Sequence, residues 1–302
     1  MQTQSLFDVI IIGGSYSGLS AAMALGRSLR KVAIIDSGEP CNRQTPHSHN
    51  FITHDGSTPA SIAEAAKKQV LSYPGVEFIS GKAIAAKKND DLFEVHIESG
   101  ASFHSKKLLL TTGLKDLMPA IEGFGECWGI SVLHCPYCHG YEVHGKKLAI
   151  IANGDMAFEM VRLISNWSPN LLLFTNGAST LTGEQKNKIQ SHGVPIHEGP
   201  VNKILHEGGY IKQLELEGGN TFTIDAVFSR IPFEQHCPIP KQLGCELTET
   251  GFIKVDELQR TTVGGVYAAG DNATFFRAVS MAVASGTMAG AVINKELIDE
   301  SF

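Results

Sequence analysis

Twice along the chain a short, wholly apolar run ends in a turn of small residues and then passes into a helical pattern. The first is Asp8-Val-Ile-Ile-Ile-Gly-Gly14; the second is Lys147-Leu-Ala-Ile-Ile151, followed by Ala152-Asn153-Gly154. Runs that are apolar at every position, rather than at alternate ones, belong to strands covered on both faces. Such strands pair in parallel and need helical crossovers, which restricts the fold to the α/β class. With 302 residues, 43% of them hydrophobic, there is material for two domains with separate cores.

The same order of elements is predicted in each half. Strands are expected at Val9–Ile12 and Val32–Ile35, with helices over Leu19–Gly26 and, behind Pro59, Ala60–Leu71. Strand segments Val76–Ile79, Phe93–Ile97 and Leu108–Thr112 follow, with turns at Asn89-Asp90-Asp91 and Ser99-Gly100. The second half starts again with a strand at Leu148–Ile151, a helix at Met156–Ile164 and a strand at Leu171–Thr175. A meander turning at Gly208-Gly209 and Gly218-Gly219 leads to a closing strand, Ala226–Ser229. The small-residue segment Gly264–Gly290 reads as a return to the first domain, with crossovers at Gly113–Glu122 and Pro232–Gly244.

Gly13-Gly14-Ser15-Tyr16-Ser17-Gly18 sits between a strand and a helix, the context in which a glycine-rich turn binds a dinucleotide. Gly13 permits the tight turn, Gly18 lets helix and strand pack closely, and the helix N-terminus offers N–H groups to a pyrophosphate. Ser15 replaces the usual middle glycine, and serine is small enough to donate to phosphate itself. Asp36, closing the next strand, is placed to accept from ribose hydroxyls. The expected architecture is therefore two Rossmann-like (FAD/NAD(P)-binding) three-layer ββα domains, the second inserted in the first. Their expected limits are Met1–Lys115 with Cys245–Phe302 for the first, and Asp116–Gly244 for the second.

Cys135-Pro-Tyr-Cys138 lies just before the second strand–turn–helix unit. Two cysteines so spaced form a redox disulfide in which one thiolate attacks and its neighbour resolves. Other uses compete. With His139 the string satisfies the CxxCH pattern of haem attachment, which requires export. Zinc would need further ligands from Cys127, His134 or His139. Cys41, Cys237 and Cys245 read as buried small apolar residues. His139 can take a thiol proton near neutral pH, or it can be a bystander on the surface.

Thr261-Thr-Val-Gly-Gly-Val-Tyr-Ala-Ala-Gly-Asp271 resembles the second FAD motif of two-dinucleotide-domain flavoproteins. Together with the cysteine pair it makes nearly the whole chain resemble the low-molecular-weight thioredoxin reductases. The resemblance implies FAD, with Asp271 on the flavin's ribitol chain and Arg277-Ala278 opening a helix aimed at its pyrimidine. It makes Cys135 the interchange thiol and Cys138 the thiol facing the flavin, and it implies a homodimer. The full expected cofactor set is Gly13, Gly14, Ser15, Tyr16, Ser17, Gly18, Asp36, Ser37, Asn42, Arg43, His49, Thr112, Gly113, Asp271, Arg277 and Ala278. Those reductases carry aspartate after the second cysteine, where this chain has His139. That histidine, with Asn42-Arg43, His47, His49, Phe51 and Asp55-Gly56, is similar to the branch of dithiol oxidases that close disulfides in gliotoxin- and holomycin-type metabolites. His49 would then lie beside the flavin ring, while His47 could be a turn residue.

The second glycine turn departs from its pattern. Ala152 stands at the first glycine position, where a Cβ is expected to crowd the turn, and Asp155 brings a carboxylate to the pyrophosphate site. The strand after it ends Phe174-Thr175-Asn176-Gly177 with no arginine following; Lys186 and Lys188 are the next basic residues. Tight NADPH binding is therefore not expected. The prediction is a flavin-dependent thiol/disulfide oxidoreductase using the Cys135/Cys138 pair on a small dithiol or a thioredoxin-like disulfide, either a dithiol oxidase or a reductase with another electron donor; the alternative is an NADPH-dependent thioredoxin reductase with an atypical site. A flavin-binding redox sensor is the non-enzymatic reading. A net charge of −6 argues against nucleic acid or an anionic membrane as partner. No apolar stretch reaches the roughly 18 residues of a membrane span, and Met1–Phe7 is too short for a signal peptide. The cytosol is expected, where six cysteines do not build a disulfide framework.

Overall fold

The computed structural model describes Leu6–Phe302; Met1–Ser5, the start of the expected first domain, lie outside the described residues. β1 (Leu6–Ile12) leads through the glycine turn into α1 (Tyr16–Arg27) and β2 (Val32–Asp36). Ile10 and Ile12 face one core of the sheet while Val9 and Ile11 face the other, which is why the run is apolar throughout. α2 (Pro59–Val70) starts where Thr58 Oγ1 accepts from Ser61 N at 3.2 Å and Pro59 occupies the first turn. β3 (Val76–Ser80), β4 (Ala83–Asn89), β5 (Leu92–Ile97) and β6 (Ser102–Leu110) complete the run before β7 (Leu114–Asp116).

The strand expected to reach Thr112 ends at Leu110. Thr111 is drawn out of it because its hydroxyl donates to Ile12 O at 3.0 Å and Gly13 O at 2.7 Å, fastening the glycine turn.

The chain then forms α3 (Phe124–Cys127), β8 (Val132–Leu133) and α4 (Pro136–His139). β9 (Leu148–Ile151), α5 (Gly154–Ile164), β10 (Leu171–Phe174), α6 (Gly183–Ser191) and β11 (Ile196–His197) repeat the strand–helix order. β12 (Val201–Glu207), β13 (Tyr210–Leu216) and β14 (Thr221–Thr223) form the antiparallel meander, and β15 (Ala226–Ser229) returns to pair with β9 and β8. After it come β16 (Phe233–Gln235), α7 (Ile239–Gln242), β17 (Val266–Ala268) and the long α8 (Val279–Asp299).

Two compact units result. The first comprises the described residues up to Arg43, Ser57–Lys115 and Phe233–Phe302; the second comprises Gln44–Gly56 and Asp116–Pro232. In the first, β3-β2-β1-β6 run in parallel with β17 on β6, and β5 and β4 add an antiparallel edge. In the second, the sheet order is β11-β10-β9-β15-β8, all parallel, with the meander as a separate sheet. Both are the layered α/β arrangement expected. The return to the first unit comes at Phe233 rather than about Cys245, because Ile239 is fully buried in that unit's core with Cys237 and Leu243 packed on it. Gln44–Gly56, read from sequence as part of the first domain, packs with the second unit.

Candidate active site

In the first unit the turn between β1 and α1 tolerates no side chain where the glycines stand. Gly13 has φ +109°, and a Cβ there would overlap Thr111 O; one on Gly18 would overlap Gly13 O. Ser15 takes an ordinary negative φ (−91°) as the helix N-cap, so serine costs the turn nothing. Its hydroxyl makes no capping bond, and no acidic residue sits in the first turn of α1. That helix end thus keeps N–H groups and positive potential for an anion. Asp36 is anchored beside it: Oδ1 accepts from Gly14 N at 2.7 Å and Oδ2 from Gly38 N at 3.0 Å, leaving lone pairs for hydroxyls.

The remaining members of the expected cofactor set gather in the same unit, His49 excepted. Tyr16 Oη receives Asn42 Nδ2 at 3.3 Å, and Arg43 Nη1 donates to Pro40 O at 3.1 Å. Ser37 is exposed; Thr112 is half-buried, next to Gly113 at φ +64°. Arg277 Nε lies 3.5 Å from Asp271 Oδ2. Ala278 is the N-cap of α8, whose first turn carries no acidic side chain. Ser17 Oγ and Asn272 Oδ1 are buried oxygens with no hydrogen-bond partner among the described residues. Leaving such atoms bare is costly, and a polar ligand would satisfy them. These residues fit a bound dinucleotide such as FAD.

In the second unit Cys135 is the N-cap of α4, whose short turn brings Cys138 back beside it. The two Sγ atoms lie 2.7 Å apart. The turn closes because Gly140 N reaches Pro136 O at 2.7 Å; a Cβ on Gly140 would collide with that carbonyl and with the Trp167 indole at 2.7 Å. The hydrogen bond from Cys138 holds the Cys135 thiol down to about 7 against burial, helped by the backbone amides of Cys138 and Tyr137 and the charge of Arg230. Burial instead pushes Cys127 up to about 11, and also raises Cys237 and Cys245. Cys41, read as buried, is exposed in the turn after Pro40.

His139 is half-buried, and burial first, then the charge of His49, holds its imidazole below the ordinary range, while Glu142 pulls it up. His49 stands edge-on to it, ring centroids 6.2 Å apart. Glu142 Oε1 and Asp55 Oδ1 lie 3.5 and 3.6 Å from His49 Nδ1. His47 Nδ1 is fixed on Gly56 O at 3.0 Å, as a turn residue would be. The cluster can therefore accept a proton at His139 and hold an anion–imidazole pair beside it. Glu142 had no role in the sequence reading; its place in the Cys-His-Gly-Tyr-Glu string was its one visible signal. Among the described residues no group of three or more His, Cys, Asp or Glu side chains is arranged to hold a metal.

The second glycine turn is rebuilt rather than crowded. Ala152 does not take the positive φ of its counterpart Gly13; the left-handed residue is Gly154, at φ +58°. Asn153 Oδ1 accepts from Gly154 N (2.9 Å), Thr180 N (2.9 Å) and Thr180 Oγ1 (3.2 Å), and its Nδ2 donates to Ala178 O at 2.9 Å. Asp155 Oδ1 accepts from Gln185 Nε2 at 2.7 Å. Asn153 was missed in the sequence reading, although an Asn before a helix is a legible capping signal.

One chain thus carries a dinucleotide-type cradle in one layered unit and a histidine-flanked cysteine pair in the other, which defines a flavin-dependent thiol/disulfide oxidoreductase. The profile of the pyridine nucleotide-disulphide oxidoreductases matches residues 7–286, and the chain belongs to that family, among its thioredoxin reductase-like members. It is 33% identical over 309 residues to the thioredoxin reductase tcpT of Claviceps purpurea, covering 99% of this chain and 96% of that protein. Its fold is similar to that of an oxidoreductase from Agrobacterium tumefaciens (TM-score 0.91, 34% identity, 98% and 99% of the two chains). It is similar also to HlmI (TM-score 0.90, 32% identity, 98% and 93%). No helix among the described residues is long and apolar enough to cross a membrane.

Proposed function

We propose that the protein is a dithiol oxidase: it closes disulfides in small dithiols through Cys135 and Cys138, depends on FAD, and does not bind NADPH tightly. The observation that carries this reading is the cysteine pair, sulfurs 2.7 Å apart, followed by an imidazole that burial keeps in its neutral form near pH 7. A neutral imidazole accepts a thiol proton; an aspartate at that place, already ionised at neutral pH, is a far weaker base.

Starting from the oxidised pair, His139 takes a proton from the substrate dithiol. The thiolate so formed attacks Cys135 Sγ, and the Cys135–Cys138 bond breaks, leaving a mixed disulfide and a Cys138 thiolate. His139 releases that proton to solvent and takes the one on the second substrate thiol; the thiolate so formed attacks the substrate sulfur of that mixed disulfide, and Cys135 leaves as a thiolate. The substrate has lost two electrons and two protons, and the cysteine pair holds both electrons. A thiol pKa near 7 makes Cys135 a good leaving group, which suits it to the interchange role. FAD, when bound, would supply the two-electron acceptor chemistry that the reduced pair needs, with oxygen or another acceptor as the final sink. Gly13 to Gly18, Asp36, Ser37, Asn42, Arg43, His49, Thr112, Gly113, Asp271, Arg277 and Ala278 are the residues proposed to hold it. A homodimer is taken from the resemblance, and a cytosolic setting is proposed on the sequence.

The thioredoxin reductase name of a close relative favours a second reading, reduction of a thioredoxin-like disulfide by NADPH at an atypical site. Anaerobic titration of the yellow protein separates the two. Bleaching by a small dithiol, and none by NADPH, is the expected result. Rapid bleaching by NADPH restores the reductase, and a protein that binds no FAD ends both readings.

A further inference from the structure

We propose that Asn153 closes the second unit to pyridine dinucleotides by supplying, from the chain itself, the oxygen that a dinucleotide phosphate would otherwise bring. The inference rests on the reading that electrons enter from dithiols, and it names the residue that keeps nucleotides from being the donor.

In an α/β unit of this kind, the pyrophosphate lies on the N–H groups where the first strand turns into its helix. Here that place is the turn from β9 into α5. Asn153 Oδ1 takes the Gly154 amide there, at 2.9 Å, and with it the Thr180 amide and hydroxyl from the loop that follows β10. Three donors converging on one oxygen is the coordination that a phosphate oxygen offers. The Asn153 amide nitrogen, 2.9 Å from Ala178 O, fastens the same loop from the other side. A phosphate entering the turn would have to break all four of these bonds before making any of its own.

Two further features act in the same direction. Asp155 puts a carboxylate in the first turn of α5, held by Gln185 Nε2, where the first turn of α1 has none. It already uses the positive end of the helix, and it would repel a second anion. Lys186 is the first basic residue after β10, and Glu198 holds it at 2.8 Å; that hydrogen bond is the main reason the Glu198 carboxyl sits below its ordinary range. The cation that could have met a 2′-phosphate is already paired. The backbone agrees: a left-handed Gly154 and an Ala152 without positive φ give this turn a different path from the Gly13 turn.

The test is calorimetric titration of the full-length, FAD-loaded protein with NADPH, NADH and 2′,5′-ADP. Wild type and Asp155→Ser should show no saturable binding up to about millimolar ligand, whereas Asn153→Gly combined with Asp155→Ser should bind at least about tenfold more tightly than wild type. Micromolar binding of NADPH by the wild type overturns the proposal. So does a folded double variant, one that keeps its FAD and its bleaching by dithiol, that gains no affinity. Should the double variant not fold, Asn153→Ala alone is judged by the same tenfold criterion. Because 2′,5′-ADP carries no electrons, its binding is independent of turnover: failure to bleach with dithiol would remove the oxidase reading and leave the closed nucleotide turn standing.

Discussion

His49 Nδ1 lies 3.5 Å from Glu142 Oε1 while the His49 ring stands edge-on to His139. The two neighbours act on His139 with opposite sign: the charge of His49 lowers its pKa and that of Glu142 raises it, with burial setting the overall downward shift. An imidazole held below its ordinary value of 6.5 stays neutral, and so able to take a proton, further into acid. Activity that needs the neutral form is present above that lowered pKa and is lost as pH falls through it.

His49→Gln keeps the bulk and removes the charge that lowers His139, so the acid limb of dithiol turnover should move to higher pH. Glu142→Gln removes the charge that raises it, and the limb should move to lower pH. Stopped-flow bleaching by a small dithiol across the acid range reads both. Shifts of the same sign would show that the pair does not act through the charge of His139.

His139→Ala should slow dithiol turnover by about a hundredfold or more near neutral pH, the usual worth of a positioned base. The loss should shrink at high pH, where the substrate thiol ionises unaided. Wild-type and variant rate profiles that run parallel would make the histidine a bystander.

Thiol chemistry should single out Cys135. With its thiol held to about 7 it is roughly half ionised at neutral pH, whereas Cys127 at about 11 has only about one part in ten thousand as thiolate. In reduced Cys41→Ser protein, which lacks the exposed thiol of the Pro40 turn, iodoacetamide should label Cys135 first, with a rate inflecting near pH 7. Peptide mapping that finds Cys127, Cys237 or Cys245 labelled sooner would contradict the burial argument. Cys138→Ser should keep FAD bound and abolish its bleaching by dithiols; unchanged bleaching would strip Cys138 of its role.

What was legible in the sequence was local. Gly13, Gly18 and Asp36 act within one strand–turn–helix unit, and the spacing of Cys135 and Cys138 is set by one turn of helix, so pattern alone located them. His49 and Glu142 are far apart in sequence and meet through the way Gln44–Gly56 packs in the second unit, which no local pattern encodes. The return of the chain at Phe233 was hidden for a similar reason: the burial of Ile239 decides it, and an isolated apolar residue between prolines carries no period. Ala152 misled because a glycine position was compared as though the turn kept its shape, whereas the backbone moved its left-handed residue to Gly154.

Cofactor retention should depend on a residue with no side chain, far along the chain from the glycine turn. α8 lies against α1 through Gly286 and Gly290: a Cβ on Gly286 would overlap Ser17 O, and one on Gly290 would stand 2.7 Å from Ala21 O. Ser20 Oγ reaches Val283 O at 2.8 Å and Thr287 Oγ1 at 2.6 Å across the same contact. α1 can yield only by moving outward, and its first turn carries Ser15, Tyr16, Ser17 and Gly18, the residues proposed to meet the pyrophosphate. Gly286→Ala should therefore destabilise the first unit by about 1–3 kcal/mol, the usual cost of overpacking, and release FAD at a lower temperature. The second unit contains neither helix, so the Cys135 labelling inflection should stay near pH 7. Flavin fluorescence on heating, measured beside the alkylation profile, decides it: an unchanged release temperature would mean that α1 is not held by this contact.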